Sequence, residues 1–147
     1  MTTGQDIVTY ARSWKGARWR HQGRGKGADR GIDCAGLLLV TAQHFGLPNG
    51  DMQGYRRNPS RAFVENVNRW TIPTTTVVNG AIGIFHDTLQ PCHCGIFAID
   101  PESGEVTVIH SEAAPAGRCH EEGYADSTPS LKDRLVSIRL FKDVEYG

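Results

Sequence analysis

Asp33-Cys34-Ala35-Gly36-Leu37-Leu38-Leu39-Val40-Thr41-Ala42-Gln43-His44-Phe45-Gly46 is the stretch on which the fold turns. Leu37, Leu38, Val40, Thr41 and Phe45 cover most of a helical circumference, which predicts a buried helix over residues 34–45. Asp33 stands where an N-cap is wanted, and Gly46 followed by Pro48 is a stop signal. Cys34 therefore falls in the first turn of an apolar helix. Amides there have no intrahelical partner, and the helix dipole is positive.

Upstream, residues 15–31 are rich in Gly and basic side chains and show no period, so they read as a loop. Ahead of it, Ile7, Tyr10, Ala11 and Trp14 fall at i, i+3, i+4 and i+7 and predict an amphipathic helix over 3–14. Thr2 or Thr3 can cap that helix, and Gly16 ends it. Downstream, Ser60 can cap a third helix carrying Ala62, Phe63, Val64 and Val67 towards Trp70. After Pro73 the pattern changes to short β-type segments, predicted at 81–86, 92–99, 106–111 and 136–141. Turns are expected at Gln90-Pro91 and at Pro101-Glu102-Ser103-Gly104. Helices first and antiparallel strands second make an α+β fold in one domain over residues 1–147.

Composition narrows the function classes. Sixteen basic and sixteen acidic side chains balance to zero, which excludes the charge footprint of a dedicated nucleic-acid binder. Seventeen glycines exceed the roughly ten expected at about 7% usage, and they concentrate in the loop before Cys34. Arg12, Lys15, Arg18, Arg20, Arg24, Lys26 and Arg30 crowd the same region. They are either a solvated face or a positive rim that attracts an anionic polymer or peptide carboxylates. The longest apolar run, Leu37 to Val40, is far short of the roughly 20 residues of a membrane span. Gln5 and Asp6 interrupt any secretory signal, so the chain is expected to be made in the cytoplasm and carried elsewhere by a partner. For the same reason its four cysteines are expected to be free thiols.

Thiolate, not thiol, is the attacking species, and a helix N-terminus and a nearby imidazolium are the two devices that favour it. Alternation along residues 92–99 puts His93, Gly95, Phe97 and Ile99 on one face and Cys92, Cys94, Ile96 and Ala98 on the other. His110 ends the next predicted strand. If the two strands are neighbours, His110 lies beside His93 and can hold its ring through the second nitrogen. Cys34 alone is more often read as a small buried hydrophobe. Two histidines at adjacent strand ends add what that reading does not explain.

Asp33-Cys34-Ala35-Gly36-Leu37, His93-Cys94-Gly95-Ile96-Phe97 and Val108-Ile109-His110-Ser111 resemble the three blocks of NlpC-type cell-wall peptidases. The segment from Trp14 to Gly23 is similar to the family's approach to its nucleophile, in the branch found in phage tails and gene transfer agents. This resemblance implies a papain-like fold, with the nucleophile helix packed on an antiparallel sheet. It implies Cys34 as nucleophile, His93 as base and then acid, and His110 orienting His93. It also implies cleavage of peptidoglycan stem peptides, typically between D-γ-glutamate and diaminopimelate, with Asp33 recognising the amino end of the stem. Phage tail or tail-tip hub proteins would be the partners and the virion tail the location, with no cofactor, metal or membrane insertion. Ala35 stands where the family often has Ser, Trp19 where it often has Tyr, and Gly80-Ala81-Ile82 where it usually has Gly-Asp-Leu. With an indole in place of the phenol, His21 or Gln22 would have to supply the oxyanion contact.

Other readings remain open at this point. Cys92, Cys94, Cys119 and His120 could close a zinc site, although adjacent strand residues point to opposite faces and the spacing matches no common finger. His86-Asp87 is a second base pair or a surface turn, and His44 lies too far along the helix to serve. A structural tail-tip protein that keeps the fold without turnover is the non-enzymatic alternative. An acyltransferase is another, because amines resolve thioesters as well as water does.

Overall fold

The computed structural model describes residues 1–27, 30–51, 61–87, 90–126 and 130–147; the side chains of residues 61, 87 and 90–92 are outside the description. Among the described residues, three α-helices precede and cover one six-stranded antiparallel sheet. In chain order they are α1 (Gly4–Arg12), α2 (Cys34–His44) and α3 (Arg61–Trp70). The strands are β1 (Thr71–Thr74), β2 (Ile82–Asp87), β3 (Gln90–Ile99), β4 (Val106–Glu112), β5 (Arg118–Gly123) and β6 (Leu135–Phe141). Their spatial order is β1-β6-β2-β3-β4-β5. The α+β class and four of the strands follow the sequence expectation.

Local chemistry explains the helix starts. The Thr3 hydroxyl accepts from the Asp6 amide while the Asp6 carboxylate accepts from the Thr3 amide, a reciprocal cap for α1. That helix ends at Arg12, two residues before the expected end, and Trp14 is buried in the turn beyond it. Asp33 caps α2 through a 2.8 Å hydrogen bond from the Gly36 amide. Residues 34–42 of α2 are all buried, as its all-round apolar pattern requires. The expected Ser60 cap of α3 lies outside the described residues.

The sheet separates two apolar layers. On the helix side, Ile82, Ile84, Cys94, Ile96, Ala98, Ile109 and Cys119 pack with α1, α2 and α3. On the far side, Phe85, Phe97, Val108, Tyr124, Leu131 and Ile138 form a second cluster. Among the described residues no helix is long and apolar enough to cross a membrane.

One sequence expectation is corrected, and two strands are added to those expected. Gln90-Pro91 opens β3 rather than forming a turn, its backbone pairing with Asp87 and His86. Strands β1 and β5 were not anticipated, because Pro73 and the charged run Arg118–Gly123 carry weak β signals. The loop before α2 is fastened by backbone hydrogen bonds on both of its legs. The Gly16 amide donates to the Cys119 carbonyl and the Trp19 amide to the Gly117 carbonyl, so the loop's first leg lines the open edge of β5. Its second leg runs back past Ile32, whose amide donates to the Arg18 carbonyl.

Candidate functional site

Cys34 opens α2 beside the point where β3 and β4 part. The β3–β4 register runs from Ile96–Ile109 to Ile99–Val106 and stops short of His93 and His110. The segment leading into α2 is fastened there from both strands. The Ser111 hydroxyl donates to the Ile32 carbonyl at 2.6 Å, and the Cys94 thiol donates to the Cys34 carbonyl at 3.2 Å. Gly36 is needed for this approach: a Cβ there would stand 2.3 Å from the Gly23 carbonyl oxygen. Gly95 is needed too, since its Cβ would stand 2.6 Å from a Val108 methyl and 3.1 Å from the His110 Cβ.

These contacts bring the three sequence-predicted residues together. The His93 ring is near enough to Cys34 to pull its thiol down. On its other side, His93 Nε2 is 2.7 Å from His110 Nδ1, the two rings meeting edge to face at 77°. Cys34 is 6% exposed, His93 9% and His110 fully buried, so the row is almost closed to solvent.

Electrostatics within this row favour the attacking form of the thiol. Cys34 is pulled well below the ordinary thiol value, to about 5, first by a hydrogen bond from the Cys94 thiol. Burial opposes that pull, the His93 hydrogen bond and charge add to it, and Asp33 opposes it weakly. Burial pushes His110 down to about 4, with Glu122 pulling the other way, so this ring is neutral at pH 7. A neutral His110 facing a protonated His93 accepts at Nδ1 and carries its own proton on Nε2. By helix geometry the Cys34 amide has no intrahelical partner, and Gly36 N is already taken by Asp33.

The remaining candidates divide. Asp33 is 4% exposed, and both its oxygens are engaged within the chain. Oδ1 accepts from Gly36 N and from Arg24 Nη1 at 3.0 Å, and Oδ2 accepts from the Gln22 amide at 2.7 Å. Gln22 takes a left-handed backbone (φ 57°) to make that contact, a conformation unusual for a side chain-bearing residue. His21 Nε2 lies 3.2 Å from Gln22 Nε2, and Trp19 is half-buried on the same loop. Arg20, His21, Gln22, Arg24 and Arg30 line an open depression of about 320 Å³ beside this cap. Of the seven basic residues noted above, Arg12 and Lys15 pair with Glu121, Arg24 with Asp33 and Asp51, and Lys26 lies 4.8 Å over the Trp14 ring.

His44 stacks on Tyr10 at 3.9 Å on the far end of α2, and His86 is exposed at the end of β2. Asp87 and Cys92 side chains lie outside the described set. Cys34, Cys94 and Cys119 are buried and form no disulfide. Cys94 and Cys119 face the helices, whereas His120 stands on the opposite face of β5, so these residues do not converge on one ion. Burial raises the Cys119 thiol to about 12, which keeps it protonated and inert.

Among the described residues, those that could hold a metal ion are a different group. His110 and Glu112 on β4 and His120 and Glu122 on β5 offer ligand atoms that all lie within 4.8 Å of one another. Sequence reasoning missed this group because it depends on β5. Two His-x-Glu tripeptides, at residues 110–112 and 120–122, were the available signal. Compared with models of known protein families and with curated proteins, the chain matches none.

Proposed function

We propose that this protein is a papain-like cysteine peptidase acting on peptidoglycan stem peptides, with Cys34 as nucleophile. The observation that carries the proposal is the row Cys34–His93–His110 at the start of α2, with the Cys34 thiol lowered and His93 Nε2 2.7 Å from His110.

In this reading the thiolate attacks the scissile carbonyl carbon, and the carbonyl electrons move to oxygen. The Cys34 amide stabilises that oxyanion, aided by the positive end of α2. Collapse expels the amine, which takes its proton from His93, and leaves an acyl thioester on Cys34. Water then attacks the thioester as His93 removes its proton. The C–S bond breaks, and the acid and the thiolate are released. His110 acts through His93: its Nδ1 accepts from His93 Nε2–H, fixing the ring and favouring the protonated form. Trp19, His21 and Gln22 are the candidates for contacts around the oxyanion, and the arginine-lined depression suits a substrate rich in carboxylates. Asp33 shapes the loop through its bonds to Gln22, Arg24 and Gly36, and its recognition of the amino end of the stem rests on the resemblance.

The substrate bond, D-γ-glutamyl to diaminopimelate, and delivery by a phage tail or gene transfer agent rest on the resemblance of the three sequence blocks. The test is digestion of purified peptidoglycan, with products weighed by mass spectrometry. The proposal expects stem-peptide fragments from the wild type and none from Cys34→Ala. Cys34 is only 6% exposed, which suits the alternative of a tail-tip component without turnover. Intact peptidoglycan after incubation with folded wild-type protein would favour that alternative.

A further inference from the structure

We propose that β4 and β5 carry a binding site for a zinc-class divalent cation, formed by His110, Glu112, His120 and Glu122. His110 and His120 are directly opposed across the two strands, with ring centroids 4.5 Å apart. Glu112 lies two residues beyond His110 and Glu122 two residues beyond His120, so period-2 alternation puts all four on the sheet face away from the helices. The arrangement is a diagonal square. His120 Nε2 is 2.9 Å from Glu112 Oε1 and 3.5 Å from Glu122 Oε2, and His110 Nε2 is 3.7 Å from Glu122 Oε2. A tetrahedral ion with ligands at about 2.0–2.2 Å holds them roughly 3.4 Å apart, so these separations bracket what zinc requires.

The independent observation is at His110. Its ring is fully buried, yet Nε2 makes no hydrogen bond: the Glu122 oxygen at 3.7 Å is beyond hydrogen-bonding distance. His120 Nε2 likewise lacks an aligned partner despite its closeness to Glu112. Two imidazole nitrogens without hydrogen bonds, close to two carboxylates, form a donor set with a net charge of −2. A dication neutralises that charge and satisfies both nitrogens. Imidazole nitrogens select zinc-class ions over Mg²⁺ or Ca²⁺, which prefer all-oxygen sites. Glu122, 35% exposed at its side chain, and His120, 22% exposed, leave a path from solvent.

The site stands whether or not Cys34 is a nucleophile, but it touches the same row. An ion on His110 Nε2 leaves the ring proton on Nδ1, so His110 donates to His93 where it otherwise accepts.

Calorimetric titration of ZnCl₂ into metal-stripped protein tests the proposal, with wild type, Cys34→Ala, His120→Ala and Glu112→Gln compared. We expect one ion per chain with micromolar or tighter affinity, unchanged in Cys34→Ala and weakened at least tenfold in His120→Ala and Glu112→Gln. MgCl₂ and CaCl₂ should give no such isotherm. Ring ¹⁵N spectra should show zinc moving the Nε2 signals of His110 and His120. Absence of binding, or binding undiminished in both His120→Ala and the near-isosteric Glu112→Gln, would overturn the site.

Discussion

Cys94 is the residue whose replacement tests the electrostatics of Cys34 most sharply, because it lowers the Cys34 thiol without belonging to the proposed reaction. Its thiol lies 3.2 Å from the Cys34 carbonyl and supplies the largest pull on the Cys34 thiol. Hydrogen bonds to charged groups contribute about 1.5–3 kcal/mol. A weak S–H donor belongs at the low end, and 1.36 kcal/mol corresponds to one pH unit. Cys94→Ala should therefore move the Cys34 thiol upward by about one pH unit, from near 5 towards 6. The side-chain volume lost is small, so the fold should survive with a penalty of about 1–2 kcal/mol. The assay is iodoacetamide alkylation from pH 4 to 9, read at the Cys34 peptide by mass spectrometry, which separates it from the other cysteines. Thiolate reactivity rises as pH climbs through the thiol's own value. The wild-type curve should therefore rise near pH 5 and the variant curve about one unit later. A wild-type curve rising near the ordinary thiol value, or identical curves for the two proteins, would refute the argument.

Three further outcomes follow from the same coordinates. His93→Ala should reduce hydrolysis by about 10²–10⁴-fold, whereas His110→Ala should reduce it less, because water can replace part of an orienting contact; comparing kcat of the two variants checks this. Glu121, bonded by Arg12, Lys15 and Thr107, is held down to about 2 from 4.5, so its contribution of about 2–3 kcal/mol is present above pH 4.5 and lost as pH falls towards 2. Urea unfolding across that window should show the loss in the wild type and not in Glu121→Gln. Gly36→Ala puts a methyl 2.3 Å from a backbone carbonyl and should destabilise the protein by about 1–3 kcal/mol, read by the same unfolding measurement.

The sequence made α2 legible because three signals agreed there: a cap residue, an apolar circumference and a Gly-Pro stop. His93 and His110 were legible because alternation fixed their strand faces, and adjacency of β3 and β4 needed only the turn at residues 101–104. There the Asp100 carboxylate accepts from the Glu102 and Ser103 amides. Strand β5 was not legible. Cys119 and Glu121 face the helices while His120 and Glu122 face outward, so it carries no apolar alternation, and its pairing is set by β4. The cation-site geometry was hidden with it. Asp33 shows a different limit: its type announced a cap, but only the folded loop reveals that Arg24 and Gln22 occupy the same carboxylate. Glycine spacing likewise announced a bent loop, without showing that Gly36 and Gly95 are sites of close backbone and strand approach.

The central claim is tested most directly by acid-quenching the protein during turnover of a stem peptide and weighing its own fragments. An acyl adduct on the fragment bearing Cys34, absent from Cys34→Ala, is the predicted result. Stem-peptide hydrolysis that proceeds with no adduct on Cys34 and continues in Cys34→Ala would contradict it.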